Sequence, residues 1–142
     1  MDGQTKELRL DTGIVRYTIN DAYTVEFNPT DSVFVEKLYS TFEELDKQQE
    51  AHKAEITNAK NGEIFDIARK RDAEMRGMID AILGEGCCAA VFGGMNLYAL
   101  GNGLPVWANL LLAIIDEVND LMEEEKKKSN SRIEKYTKKY HR

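Results

Sequence analysis

Between Gly84 and Gly103, in the stretch GEGCCAAVFGGMNLYALGNG, six glycines and two adjacent cysteines separate two runs of apolar residues at helical spacing. Glycine inside a helix is about 1 kcal/mol less favourable than alanine, so this stretch continues neither run. It has to turn the chain, and what it does while turning decides both fold and chemistry.

Three chemical readings of the stretch fail on context. A dinucleotide fingerprint needs its glycines between a parallel strand and a helix start, whereas here a helical pattern precedes them. A P-loop needs Gly-Lys-Ser/Thr at its end, and neither Gly84-Glu85-Gly86 nor Gly101-Asn102-Gly103 is followed by Lys. A zinc site needs about four ligands. Cys87 and Cys88 are neighbours pointing in different directions, and His52 and His141 lie far off without CxxC or HxxxH spacing. No metal or cofactor is expected. The structural reading is that Gly84 or Gly86 ends a helix with a left-handed cap and CCAAVF forms a short buried helical turn closed by Gly93-Gly94. Gly101 and Gly103 then reverse the chain before Pro105 opens the next helix. No Ser-His-Asp, Cys-His or paired-carboxylate arrangement falls on a shared face, so an enzyme is not expected.

On the N-terminal side of the glycines, Ile64, Ala68, Met75, Ile79 and Ile82, with Ile67 and Met78 beside them, define an amphipathic helix after the Asn61-Gly62 turn signal. Its Arg69, Lys70 and Arg71 are flanked by acids and read as a solvated face. On the other side, Trp107, Leu111, Ile114, Val118 and Leu121 share one face of a helix, with Leu110, Ile115 and Met122 adjoining. An earlier helix is signalled by Asn28 as cap, Pro29 as first residue and a stripe of Phe34, Leu38, Phe42 and Leu45. Beyond Leu45 it keeps helix formers but loses large apolar side chains apart from Ile56, so it either projects into solvent or fits against another copy. Before it, IVRYTIN and YTVEFN, separated by Asp21-Ala22, read as a β-hairpin with Tyr17 and Ile19 on one face of the first strand and Tyr23, Val25 and Phe27 on one face of the second.

With 142 residues, 42% of them hydrophobic, the chain suits one domain that buries roughly two thirds of its unfolded surface. The expected class is α+β. An N-terminal hairpin (about 14–28) packs on a mainly α-helical body of three principal helices (about 29–60, 63–83 and 105–125), in a single domain of residues 1–125. Residues 126–142 form a basic, partly disordered tail. That tail holds eight Lys/Arg against Glu134 alone, so a net charge of −6 leaves −13 on residues 1–125 (−6 minus +7). An acidic body repels phosphate backbones, so nucleic acid is not the expected partner. The run from Leu104 to Ile115, interrupted by Pro105 and Asn109, is well short of the ~20 residues that span a bilayer. The N-terminus MDGQTKELRL lacks the pattern of a secretion signal. Residence in the cytoplasm, with reduced thiols, is the expectation.

The order of elements also resembles a known family. YTINDAYTVEFNPTDSVFVEKLY, followed by MIDAILGEGCCAAVFGGMN and an apolar helix, is similar to tail assembly chaperones encoded among the tail genes of phages and prophages of Gram-positive bacteria. Their pattern, roughly Ile-Asp-x-Ile-Phe-Gly-x-Gly leading to a turn that ends in Phe-Gly, is matched by Ile79, Asp80, Ile82, Gly84, Gly86, Phe92 and Gly93. Leu83 stands where Phe is more usual, and the likeness spans about residues 14–122. It implies a protein that coats the apolar tape measure protein until tail-tube subunits polymerise, with no catalytic residues to carry over. It also implies a longer product made by ribosomal slippage, for which the codons of Lys126, Lys127 and Lys128 are the place to look. The alternatives are a structural tail component retained in the virion, or a small regulatory module using its basic tail on nucleic acid.

Two surfaces are expected to meet partners. Trp107, Leu110, Leu111, Ile114, Ile115 and Val118 spread over more than one helix face and suggest a homo-oligomer. Lys126, Lys127, Lys128, Ile133, Tyr136 and Tyr140 form a basic tail with apolar residues at helical spacing, suited to ordering on a partner such as the tape measure or tube protein.

Overall fold

The computed structural model describes residues 3–128 and 130–140, with side chains as far as Thr137; the Tyr140 side chain and His141, which entered the reading of the tail and of metal ligands, lie outside the described residues. The architecture is α+β. A hairpin of β1 (Val15–Ile19) and β2 (Tyr23–Phe27) is followed by α1 (Ser32–Asn58), α2 (Ile64–Leu83) and the short α3 (Cys87–Phe92). Two-residue strands β3 (Leu100–Gly101) and β4 (Leu104–Pro105) then lead to α4 (Val106–Lys127) and α5 (Arg132–Tyr140). Among the described residues no helix is long and apolar enough to cross a membrane.

The hairpin pairs Val15 with Phe27, Tyr17 with Val25 and Ile19 with Tyr23. The two-residue period therefore puts all six side chains on the face turned to the helices, while Arg16, Thr18, Thr24 and Glu26 stay exposed. Asn20 and Asp21, two of the residue types that tolerate a left-handed backbone, make the turn at φ 51° and 56°.

α1 begins three residues later than the sequence suggests. Asp31, not Asn28, is the N-cap, its carboxylate accepting from the Val33 amide at 3.0 Å. The Asn28 side chain is occupied in closing the preceding turn. Its Oδ1 accepts from the amide and hydroxyl of Thr30, and its Nδ2 donates to the Thr12 carbonyl at 2.8 Å.

The polar second half of α1 does not project into solvent, because α2 lies antiparallel along it. Arg71 pairs with Glu55, Gln48 Nε2 approaches Met78 Sδ at 3.4 Å, and His52 stacks on Tyr98 with ring centroids 4.1 Å apart. Polar side chains thus fill contacts that apolar ones make nearer the helix start. Of the three cations read as a solvated face, Arg69 and Lys70 are exposed, but Arg71 is half-buried in this seam.

α4 also runs antiparallel to α1. Trp107 Nε1 donates to Gln49 Oε1 at 2.8 Å near one end, and the Tyr39 hydroxyl donates to Asn119 at 3.0 Å near the other. α2 and α4, both opposed to α1, therefore run in the same direction, and the glycine-rich stretch is the crossover between them. The core lies where the helices meet the hairpin, with Leu38, Leu45, Met75, Ile79, Leu111 and Val118 fully buried. Burial of each such side chain is worth about 1.5–3 kcal/mol.

Candidate functional site

The crossover is held to α2 by side chains four residues apart. Asp80 accepts from the amides of Cys88 at 2.9 Å and Gly86 at 3.2 Å. Arg76 donates to the Met95 carbonyl at 2.6 Å, and Asp72 accepts from the Leu97 amide at 2.7 Å. Asn96 completes the series by donating to the Ala68 carbonyl at 3.1 Å. Spacing of four puts Asp72, Arg76 and Asp80 in one row of a helix, so residues 86–97 return along that row for about 12 Å, the rise of eight helical residues. Arg76 and Asp72 are also paired, at 2.9 Å. The chain then turns again through Asn102 (φ 53°) and Gly103 (φ 81°), an Asn-Gly pair of the kind that favours two-residue hairpins.

This explains the motif residues in structural terms. Asp80 supplies the acceptor that a glycine N-cap cannot give to α3. Gly84, at φ 126°, makes room for the Tyr23 ring, whose hydroxyl occupies the space a Cβ would take and donates to the Glu85 carbonyl at 3.2 Å. The hairpin is therefore latched to the end of α2. Cys87 and Cys88 are fully buried. Burial, then the Asp80 carboxylate, pushes the Cys87 thiol up to about 11. Burial and a hydrogen bond with Asp80 push Cys88 higher still. Both are protonated at neutral pH and serve as packing groups.

The hairpin, α3 and the first half of α4 border an open groove of about 470 Å³. The hairpin contributes Tyr17, Ile19, Val25 and Phe27, α3 contributes Val91 and Phe92, and α4 contributes Leu110, Ala113 and Ile114. Tyr17 stacks on Phe27 at 5.9 Å, and Phe27 on Phe34 at 4.8 Å, which stiffens that wall. One end is acidic. Glu117 accepts from the Tyr17 hydroxyl at 3.1 Å. Burial raises the Tyr17 pKa, and the carboxylates of Glu117, Glu124 and Asp120 raise it further.

The six helix residues expected at a self-association surface, Trp107, Leu110, Leu111, Ile114, Ile115 and Val118, are each buried by the chain's own hairpin and helices, none more than 8% exposed. The surplus apolar surface that suggested an oligomer is therefore not theirs, although Leu110 and Ile114 form the groove floor. At the other predicted surface, Lys126 and Lys127 close the last turn of α4, with Lys126 near Glu123 at 3.5 Å and Lys128 near Glu125 at 3.0 Å. Ile133 and Tyr136 stand on α5, 73% and 50% exposed. The groove itself, assembled from three elements distant in sequence, carries no local motif. The Asp72, Arg76 and Asp80 row has one, the four-residue spacing of charges beneath a glycine-rich segment.

Residues 20–142 match the model of a family described as a family of unknown function, DUF6673. Neither a curated protein nor a solved structure matches the chain.

Proposed function

The chain belongs to the DUF6673 family, whose function is unknown, and we propose that it is a phage or prophage tail-morphogenesis protein, an assembly chaperone that holds an apolar helical stretch of the tape measure protein. The observation that carries this reading is the groove between the hairpin, α3 and α4. Its apolar floor and aromatic wall suit one face of an amphipathic helix, the mode in which a groove reads anchors three and four residues apart. The carboxylates of Glu117, Asp120 and Glu124 at one end favour a helix with a basic flank. The reading assigns no catalysis to the chain, and the buried protonated thiols offer no nucleophile.

Co-expression tests the reading. The tape measure protein of the same genome should be insoluble alone and recovered as a soluble complex with this chain, while purified virions lack the chain. A tape measure protein whose solubility ignores the chain would contradict the proposal. So would stoichiometric chain in the particles, which would favour a structural tail component.

A further inference from the structure

We propose that the two ends of the chain close on each other, the N-terminal arm before β1 packing on α5 of the same copy with Leu8 and Leu10 against Ile133 and Tyr136. The inference does not rest on the tape measure reading, since neither segment lines the groove. The arm, residues 3–14, forms no strand or helix, and all of its residues are exposed. Leu8 and Leu10 are 86% and 78% exposed, and a spacing of two puts them on one side of an extended segment. Ile133 and Tyr136, three residues apart, share one side of α5 and are exposed as well. The helix is already capped, with Asn130 Oδ1 accepting from the Arg132 amide at 2.9 Å. Each segment is thus a one-sided apolar element whose apolar side is uncovered.

The end of α4 brings the two together. Asp11, Thr12, Gly13 and Ile14 of the arm line an open cavity of about 490 Å³ with Glu125 and Lys128. Glu125, then Glu124 and Asp11, raise the Lys128 pKa. The arm is anchored at this rim, where Asn28 Nδ2 donates to the Thr12 carbonyl and Asp11 Oδ1 accepts from the Gly13 amide, both at 2.8 Å. Arm and α5 therefore start from one place. Leu8 lies three residues from Asp11 and Ile133 five from Lys128, so at ~3.3–3.6 Å per residue both stay within ~18 Å of the cavity. Asp11 also supplies a carboxylate for the exposed cations of α5, Arg132 and Lys135. Tethering selects the same copy as the partner. Segments joined by so short a path meet at an effective concentration on the order of 1 mM, about a hundred times that of another copy at roughly 10 µM.

Hydrogen exchange of the full chain reads the closure. A helix as short as α5 is marginal in water by itself, so without a partner its amides exchange at close to the unfolded rate. In the native chain they should be slowed at least tenfold, and equally so at roughly 10 and 100 µM, as a contact within one copy requires. Leu8→Asp with Leu10→Asp, both at exposed positions, should abolish the slowing in α5 and leave α2 and α4 protected; Leu8→Met with Leu10→Met should keep it. Native α5 amides that exchange at the unfolded rate would overturn the closure. So would protection that survives the aspartate pair, or protection that grows with concentration, which would assign the contact to another copy.

Discussion

The Asp80 carboxylate reaches from α2 to the backbone amide of Cys88, at 2.9 Å, and so caps a helix whose own N-cap residue is glycine. A side chain of one helix thereby fixes where the next starts, and with it the α3 wall of the groove. Removing the acceptor leaves two partly buried amides without a partner. Asp80→Ala should therefore lower stability by about 1–3 kcal/mol, and Asp80→Asn, which keeps one acceptor oxygen, by less. Denaturant midpoints at constant slope measure both.

Gly84→Ala should be destabilising for two separable reasons, the positive φ of that residue and the Tyr23 hydroxyl standing where the Cβ must go. A loss of about 1–3 kcal/mol is expected. In a Tyr23→Phe background the steric part is relieved and the backbone part remains. A double-mutant cycle should show Gly84→Ala costing less there, and full additivity would contradict the latch.

Cys87 and Cys88 should resist alkylation in the folded protein. Both thiols are fully buried, with that of Cys87 raised to about 11, so at pH 8 the thiolate is scarce and out of reach. Labelling by iodoacetamide should follow unfolding, accelerating with denaturant. Replacing both by Ala should cost about 1–2 kcal/mol of packing and leave partner binding unchanged.

His52 gives the seam between α1 and α2 a pH dependence of definite sign. Burial, and then the nearby Arg71, lower its pKa from the ordinary 6.5. The unfolded chain takes up a proton near pH 6.5 that the folded chain refuses, so stability is present above that pH and falls as the pH drops below it. His52→Gln should flatten the part of the stability curve just below pH 6.5, as read from melting temperatures; an unchanged slope would contradict a neutral buried imidazole.

The hairpin, α2 and α4 were legible because their apolar periods of two and about 3.6 residues are local properties of the chain. The start of α1 is ambiguous in the sequence because Asn28 and Asp31 are both good caps, and only the tertiary contact of Asn28 with Thr12 decides between them. The polar half of α1 hides its packing for a related reason. Gln48, Gln49, His52 and Glu55 find specific partners on α2, on α4 and at Tyr98, which no periodicity of α1 can announce. That the glycine-rich stretch turns the chain is readable from its glycines, but its path back along Asp72, Arg76 and Asp80 is not. The groove depends on that path, so it too stayed invisible in the sequence.

That the groove holds a partner helix is tested most directly by calorimetric titration with amphipathic helical segments of the tape measure protein, using the native chain and the Ala113→Lys variant. Ala113 is exposed and lines the groove, so the variant should keep the native melting temperature. At least one segment should bind the native chain, and bind the variant at least tenfold more weakly, a difference of about 1.4 kcal/mol or more. Equal affinity for both proteins, or no binding by any segment, would contradict the account.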